Sequence, residues 1–131
     1  MIFVDTGAWF ALSVESDPDH ESAKTFIAGN REPLVTSDFV IDELMTLFVV
    51  RHEKAKGIEW LRDVLDGGGV AVIRIDSECF ADACRIYIEF ADKAWSFTDC
   101  TSYAVMRRLS ITKALSFDDD FRQFGTVQVV P

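Results

Sequence analysis

Short apolar runs alternate with amphipathic segments along the whole chain. Ile2–Val4 is an apolar run of β-formers, which is typical of a strand buried on both faces. Similar runs predict further strands at 34–36, 70–75, within 111–117 and at 127–130. Apolar spacing and caps predict helices at 8–14, 20–28, 38–51, 54–65, 77–90, from Ser96 or Thr98 to 109, and at 118–124. The alternation predicts one α/β domain over 1–131, with a parallel sheet of about five strands and helices on both faces.

Two predicted helices carry patterns that bear on burial. The helix that follows Ser37 is apolar nearly all round, which predicts that it is buried or packs against a partner. The helix over 77–90 is amphipathic, and its predicted apolar stripe consists of Phe80, Cys84, Tyr87, Ile88 and Ala91.

Composition narrows the class of protein. Hydrophobic residues make up 49% of the 131 positions, which excludes a disordered chain. No apolar run approaches the ~20 residues that span a bilayer, and no secretory signal is visible, so we expect a cytoplasmic protein. Three cysteines without a CxxC spacing, and two histidines remote from them, disfavour a zinc site.

The net charge of −9 argues against a tight, non-specific DNA-binding protein, because phosphate binding normally requires a basic surface. Two features moderate this conclusion. Metal ions would neutralise some of the 22 acidic residues, and the pair Arg107-Arg108 is expected to form a local positive rim.

Four carboxylates are distinguished by their positions. Asp5 ends the first strand, Asp118 follows the strand near Leu115, Asp99 lies in the first turn of a helix, and Glu43 lies about two turns into another. Because ligands of open α/β sheets bind beyond the carboxyl ends of the strands, these acids are expected to converge. Clustered acids repel unless divalent cations lie between them, and an all-oxygen ligand set favours Mg²⁺ or Mn²⁺.

Glu43 is the most informative of the four. Three of its four helical neighbours at three and four positions are apolar, namely Phe39, Val40 and Leu47, whereas the fourth is Thr46. A buried carboxylate is costly unless it is paired or binds a metal.

Each acid also has a purely structural interpretation. Asp5, Asp99 and Asp118 occupy positions where an acid caps a helix and stabilises it by ~1 kcal/mol. Ser96-x-x-Asp99 resembles a capping box, and Glu43 could extend to solvent.

Four segments in order resemble the PIN domain, and within it the VapC-type toxins of toxin–antitoxin pairs. They are Phe3-Val-Asp-Thr-Gly-Ala-Trp9, Thr36-Ser-Asp-Phe-Val-Ile-Asp-Glu-Leu44, Ser96-Phe-Thr-Asp-Cys-Thr-Ser102 and Ala114-Leu-Ser-Phe-Asp-Asp-Asp-Phe121. The resemblance implies a metal-dependent endoribonuclease. It implies that the metal-binding and catalytic acids are Asp5, Glu43, Asp99 and Asp118, with Asp120 a weaker candidate and Thr6 and Thr98 supporting hydroxyls. The helices around 39–50 and 60–65 carry more aromatic and aliphatic residues than one small core needs, so we expect a homodimer and an antitoxin that fills a groove near the acids.

Other functions remain open at this level. A receiver-like phosphoacceptor domain would use an acid such as Asp76, although no suitably placed lysine follows a later strand. A sugar-phosphate hydrolase would need a second acid two residues after Asp5, where Gly7 stands. A PIN-fold module that only binds partners is a further alternative, and the RNA target of a nuclease is undetermined among tRNA, ribosomal RNA and messages.

Overall fold

A parallel sheet of five strands forms the centre of the protein. The computed structural model describes all residues from Met1 to Pro131. The strand order is β3-β2-β1-β4-β5, and every neighbouring pair is parallel, which confirms the predicted α/β architecture. The strands are β1 (Ile2–Val4), β2 (Leu34–Ser37), β3 (Val70–Ile73), β4 (Lys113–Leu115) and β5 (Gln128–Val130).

Seven helices connect the strands. No helix combines the length and the hydrophobicity that a membrane span requires. Helix α1 begins two residues earlier than predicted, because the Asp5 side chain accepts a hydrogen bond from the amide of Ala8 and so caps it. Strand β3 ends two residues early, because the amide of Ile75 donates to the Asp38 side chain instead of continuing the ladder. The helices are α1 (Thr6–Ser13), α2 (His20–Gly29), α3 (Asp38–Val50), α4 (Lys54–Leu65), α5 (Ser77–Glu89), α6 (Phe97–Arg108) and α7 (Asp119–Arg122).

Strand β1 lies at the centre of the core, as its apolar run predicts. Its three residues are at most 1% exposed, so both faces of the sheet are covered here. The Phe3 ring stacks on Phe121 of α7 with ring centroids 6.5 Å apart. The buried position of β1 holds the residue that follows it, Asp5, in a low-dielectric environment.

Helix α3 is less buried than its apolar composition predicts. Val40, Leu44 and Phe48 form its buried stripe, whereas Val49 and Val50 are 54% and 64% exposed. A helix that packs on one side buries one stripe, whatever the composition of the other. The stripe at Phe48 packs closely against α4, where a Cβ atom on Gly57 would lie 2.9 Å from the Phe48 ring.

The apolar stripe predicted for α5 is wrong. The buried residues of this helix are Cys79, Ala83 and Ile86. Phe80, Tyr87 and Ile88 are 44%, 56% and 74% exposed. Helix α5 packs mainly on α6, and small residues permit that close approach, so the larger side chains lie on the outer surface. Exposed rings of α5 gather around Phe97 of α6, with centroids of Phe80 and Tyr87 at 5.2 and 6.2 Å.

Candidate metal centre

The acidic residues converge where the strand order reverses. Strand β1 lies between β2 and β4. From β1 the chain adds β2 and β3 on one side of the sheet, and it then crosses over to add β4 and β5 on the other side. Ligand sites of open α/β sheets form at this point, beyond the carboxyl ends of the strands. A cleft of about 160 Å³ lies here, lined by Asp5, Thr6, Gly7, Val40, Glu43, Leu47, Thr98, Asp99, Ser102, Asp118 and Phe121.

Asp5 is the most buried acid of the cleft, at 6% exposure. Its Oδ1 atom accepts a hydrogen bond of 2.8 Å from the amide of Ala8, and its Oδ2 atom accepts one from the Ser116 hydroxyl. Burial raises the pKa of Asp5 to about 7, and the charges of Asp118 and Asp99 add to the rise against the lowering effect of the two hydrogen bonds. The carboxyl group is therefore easily protonated until a cation is present.

Asp99 is held at the start of α6 by a capping box. Its amide donates to the Ser96 hydroxyl at 3.0 Å, and its Oδ2 atom accepts from the Ser96 amide at 2.9 Å. Burial raises the pKa of Asp99 to about 6, with Asp118 and Glu43 contributing through their charges. Ser96, and not Thr98, is thus the helix cap, and Thr98 is one of the residues that line the cleft.

Asp118 caps the short helix α7. Its Oδ1 atom accepts from the amide of Asp120 at 2.9 Å, and its own amide donates to the Ser116 hydroxyl at 3.0 Å. The capping interpretation is therefore correct for Asp5, Asp99 and Asp118. In Asp99 and Asp118 the cap uses one carboxylate oxygen, and the other oxygen makes no hydrogen bond within the chain.

Glu43 reaches the cleft from α3 and is half-buried, in keeping with its apolar helical neighbours. Its Oε2 atom accepts a hydrogen bond of 3.0 Å from the Thr6 hydroxyl at the start of α1. No lysine, arginine or histidine forms an ion pair with Asp5, Glu43, Asp99 or Asp118.

These residues fit a hard divalent cation. Ligand oxygens of Asp99, Asp118 and Asp120 lie within 4.8 Å of one another, so the weaker candidate Asp120 belongs to this close group. Asp5 and Glu43 line the same cleft but are outside the group. Burial raises the pKa of Asp120, and the negative charges of Asp118 and Asp119 raise it further. An all-oxygen set without a protein cation suits Mg²⁺ or Mn²⁺, and the residues that would hold the ion are Asp5, Glu43, Asp99 and Asp118, with Asp120 beside them.

The expected positive rim does not lie at the cleft. Arg107 and Arg108 are at the far end of α6, about 12 and 14 Å along the helix from Asp99 at ~1.5 Å per residue. Arg108 pairs with Asp76 and Glu78, and Arg107 lies over the Tyr103 ring at 5.5 Å.

A buried residue behind the cleft, Ser116, was missed by sequence reasoning. Ser116 follows β4 and contacts both Asp5 and Asp118 through its hydroxyl. Its place at the carboxyl end of a strand, two residues before Asp118, is a signal that could have identified it.

The strand order excludes the receiver-like alternative, because receiver domains have the order 2-1-3-4-5. Asp76, the acid that such a domain would use, caps α5 and pairs with Arg108.

Known proteins resemble this chain over its whole length. The PIN domain family profile matches residues 2–127. The 23S rRNA-specific endonuclease VapC20 of Mycobacterium tuberculosis is 35% identical over 133 residues, which cover 100% of this chain and 99% of the relative.

Solved structures agree with this relationship. The crystal structure of M. tuberculosis VapC20, described as a Sarcin-Ricin loop cleaving toxin, matches with a TM-score of 0.92 and 31% identity, covering 100% of both chains. A toxin–antitoxin complex from Klebsiella pneumoniae shares the fold at a TM-score of 0.70 and 15% identity, covering 100% of this chain and 97% of the other. The predicted VapC-type resemblance is thus confirmed, and the chain belongs to the PIN domain family.

Proposed function

We propose that residues 1–131 form one PIN domain that acts as a Mg²⁺- or Mn²⁺-dependent endoribonuclease, the toxin of a toxin–antitoxin pair. The observation that carries the proposal is the convergence of Asp5, Glu43, Asp99 and Asp118 in one cleft with no protein cation among them. Such a group of acids is stable in its ionised form only with a bound cation.

The chemistry follows from the oxygen ligands. A bound divalent ion lowers the pKa of a water molecule and stabilises the leaving oxygen of the phosphodiester. Asp5 and Asp99 ligate when deprotonated, which their raised pKa values make pH-dependent. Thr6 orients Glu43, and the α7 cap orients Asp118. Thr98, whose hydroxyl is not used for capping, is available to position the substrate.

The substrate is ribosomal RNA in this proposal, because VapC20 is named as a 23S rRNA-specific endonuclease and resembles this chain over its full length. An acidic protein with a net charge of −9 gains little from non-specific phosphate contacts. A structured loop, recognised by its shape and its unpaired bases, suits such a protein better than a long duplex. Because the proposed substrate is ribosomal RNA, the proposed site of action is the cytoplasm.

The decisive experiment incubates the purified protein with ribosomes and Mg²⁺ and maps the cleavage of ribosomal RNA by primer extension. Cleavage at one site is expected, with complete loss in EDTA and a loss of at least about 100-fold in Asp99→Asn. Asp119→Asn is the matched control, since this nearby acid is exposed, pairs with Arg122 and lies outside the cleft. Full activity of Asp99→Asn would overturn the proposal, and metal binding without cleavage of any RNA would favour a module that only binds partners.

The partners in this proposal are a second copy of the chain and an antitoxin. A second copy covers an aromatic surface formed by the exposed rings of Phe80 and Tyr87 with the half-buried rings of Phe39 and Phe97. This surface adjoins the cleft through Thr98. Exposed apolar area of this kind is typical of an interface. Light scattering on wild type and Tyr87→Glu tests it: a wild-type dimer and a Tyr87→Glu monomer are expected, and a monomeric wild type at micromolar concentration would exclude it.

The antitoxin occupies a groove near the acids with a helix or an extended tail, and a basic side chain of that tail neutralises the cleft. Coexpression with the product of the adjacent reading frame tests this directly. A complex that has lost nuclease activity is expected, and restored activity after removal of the antitoxin tail would locate the inhibition. An active complex with the tail intact would contradict it.

A further inference from the structure

Ser116 is held rigidly between three strands. Its amide donates to the carbonyl of Val130 at the end of β5, at 3.1 Å. The carbonyl of the preceding residue, Leu115, accepts from the amide of Asp5 at 3.2 Å. The side chain is 1% exposed, so no water competes for its hydroxyl. The backbone therefore holds this hydroxyl in one place, beside Asp5 and Asp118 of the acidic cleft.

The Ser116 hydroxyl connects Asp5 and Asp118, two acids that lie 113 positions apart in the chain. It donates to Oδ2 of Asp5 and accepts from the amide of Asp118 at 3.0 Å. A hydroxyl carries one hydrogen, and the Asp118 amide must meet a lone pair, so the hydrogen is directed at Asp5. The Ser116 hydroxyl cannot rotate without losing a hydrogen bond in a buried site.

Asp5 is consequently fixed through both of its oxygens. The amide of Ala8 holds Oδ1 at 2.8 Å, and Ser116 holds Oδ2. Two fixed oxygens define the plane of the carboxylate, and only the remaining lone pairs can face the cleft. The same hydroxyl fixes the start of the turn that presents the Asp118 side chain.

We propose that Ser116 is a positioning residue that sets the affinity of the cleft for divalent cations by holding Asp5 and Asp118 in their ligating orientations. The inference rests on the proposed function for the identity of the cation. Partners that orient metal ligands typically change metal affinity by about 10–100-fold when they are removed.

The test measures Mn²⁺ binding by calorimetry to wild type, Ser116→Ala and Ser116→Cys, the last of which replaces a strong donor by a weak one of similar shape. Thr36→Val is the matched control, because Thr36 is equally buried and its hydroxyl bonds only to the Val4 carbonyl. We expect a 10–100-fold weaker Mn²⁺ affinity in Ser116→Ala and a smaller loss in Ser116→Cys. Thr36→Val should bind Mn²⁺ as wild type does.

Cleavage of ribosomal RNA as a function of Mn²⁺ concentration supplies a second readout. A positioning role predicts a higher midpoint with activity largely restored at saturating Mn²⁺, whereas a general folding defect would lower the plateau and leave the midpoint unchanged. Mn²⁺ affinities of Ser116→Ala and Ser116→Cys within twofold of wild type would overturn the inference and leave the nuclease proposal standing. A weakened Mn²⁺ affinity in a protein whose wild type cleaves no RNA would support the inference and overturn the nuclease.

Discussion

The Thr6 hydroxyl donates a hydrogen bond of 3.0 Å to Oε2 of Glu43, and this bond joins the first residue of α1 to the second turn of α3. The bond explains how a half-buried carboxylate remains without a basic partner, because a neutral donor satisfies one of its oxygens. The other oxygen, Oε1, makes no hydrogen bond within the chain. Thr6 thus acts on the cleft through Glu43.

Removal of this hydroxyl by Thr6→Val should reduce the rate of RNA cleavage by about tenfold at limiting Mg²⁺. The side-chain volume is kept, so thermal unfolding should change little. Thr6→Ser preserves the donor and should retain most of the activity, which provides the control. Equal rates for Thr6→Val and wild type across a Mg²⁺ titration would show that Glu43 needs no orientation.

The stability of the metal-free protein should fall as the pH rises. The pKa of Asp5 is about 7 in the folded protein, whereas the ordinary value of 3.8 applies to the unfolded chain. Between pH 3.8 and pH 7 the folded protein therefore binds more protons than the unfolded chain. The contribution of Asp5 to the free energy of unfolding is greatest below about pH 4. It falls by up to about 4 kcal/mol as the pH rises through 7. Asp99 acts in the same direction.

Urea unfolding in EDTA at pH 5 and pH 8 measures this decline. Asp5→Asn should flatten the pH dependence, because it removes the buried charge, and should be at least as stable as wild type at pH 8. An apo-protein that is more stable at pH 8 than at pH 5, in buffers of equal ionic strength, would contradict the assignment.

Divalent ions should restore the stability that alkaline pH removes. At pH 8 a concentration of Mn²⁺ 100 times its Kd should add about 2.7 kcal/mol to the free energy of unfolding. The gain should be much smaller at pH 5, where protons compete for Asp5 and Asp99. Differential scanning fluorimetry with and without EDTA checks this, and Asp99→Asn should lose most of the Mn²⁺ effect.

Helix packing offers a prediction remote from the cleft. Gly57→Ala improves helix propensity by ~1 kcal/mol, yet its Cβ would lie 2.9 Å from the buried Phe48 ring, and such overpacking costs ~1–3 kcal/mol. We expect a net loss of about 1 kcal/mol in urea unfolding. Gly29→Ala in α2 meets nothing within 4 Å and should be neutral or stabilising, so a similar response of both variants would contradict the packing argument.

Local patterns predicted most of the secondary structure. The run Ile2–Val4 is buried as a central strand, and the capping box of Ser96 and Asp99 is formed as its spacing predicts. These features depend on residues no more than four positions apart, so they can be recognised from a short segment of the sequence. The stripe of α5 failed for the complementary reason: apolar side chains occur on two faces of the helix, and only the packing against α6 decided which face is buried.

By itself, the sequence determined that Asp5, Asp99 and Asp118 stand at strand ends and helix starts, because strand periodicity and capping are local properties. The tertiary structure alone decided that β4 lies beside β1, so that Asp118 and Ser116 meet Asp5, and that Thr6 bonds to Glu43. The Thr6–Glu43 and Ser116–Asp5 hydrogen bonds join residues 37 and 111 positions apart, and their partners depend on the order of strands in the sheet. Strand order minimises the free energy of the whole core, and no short segment of the chain encodes it.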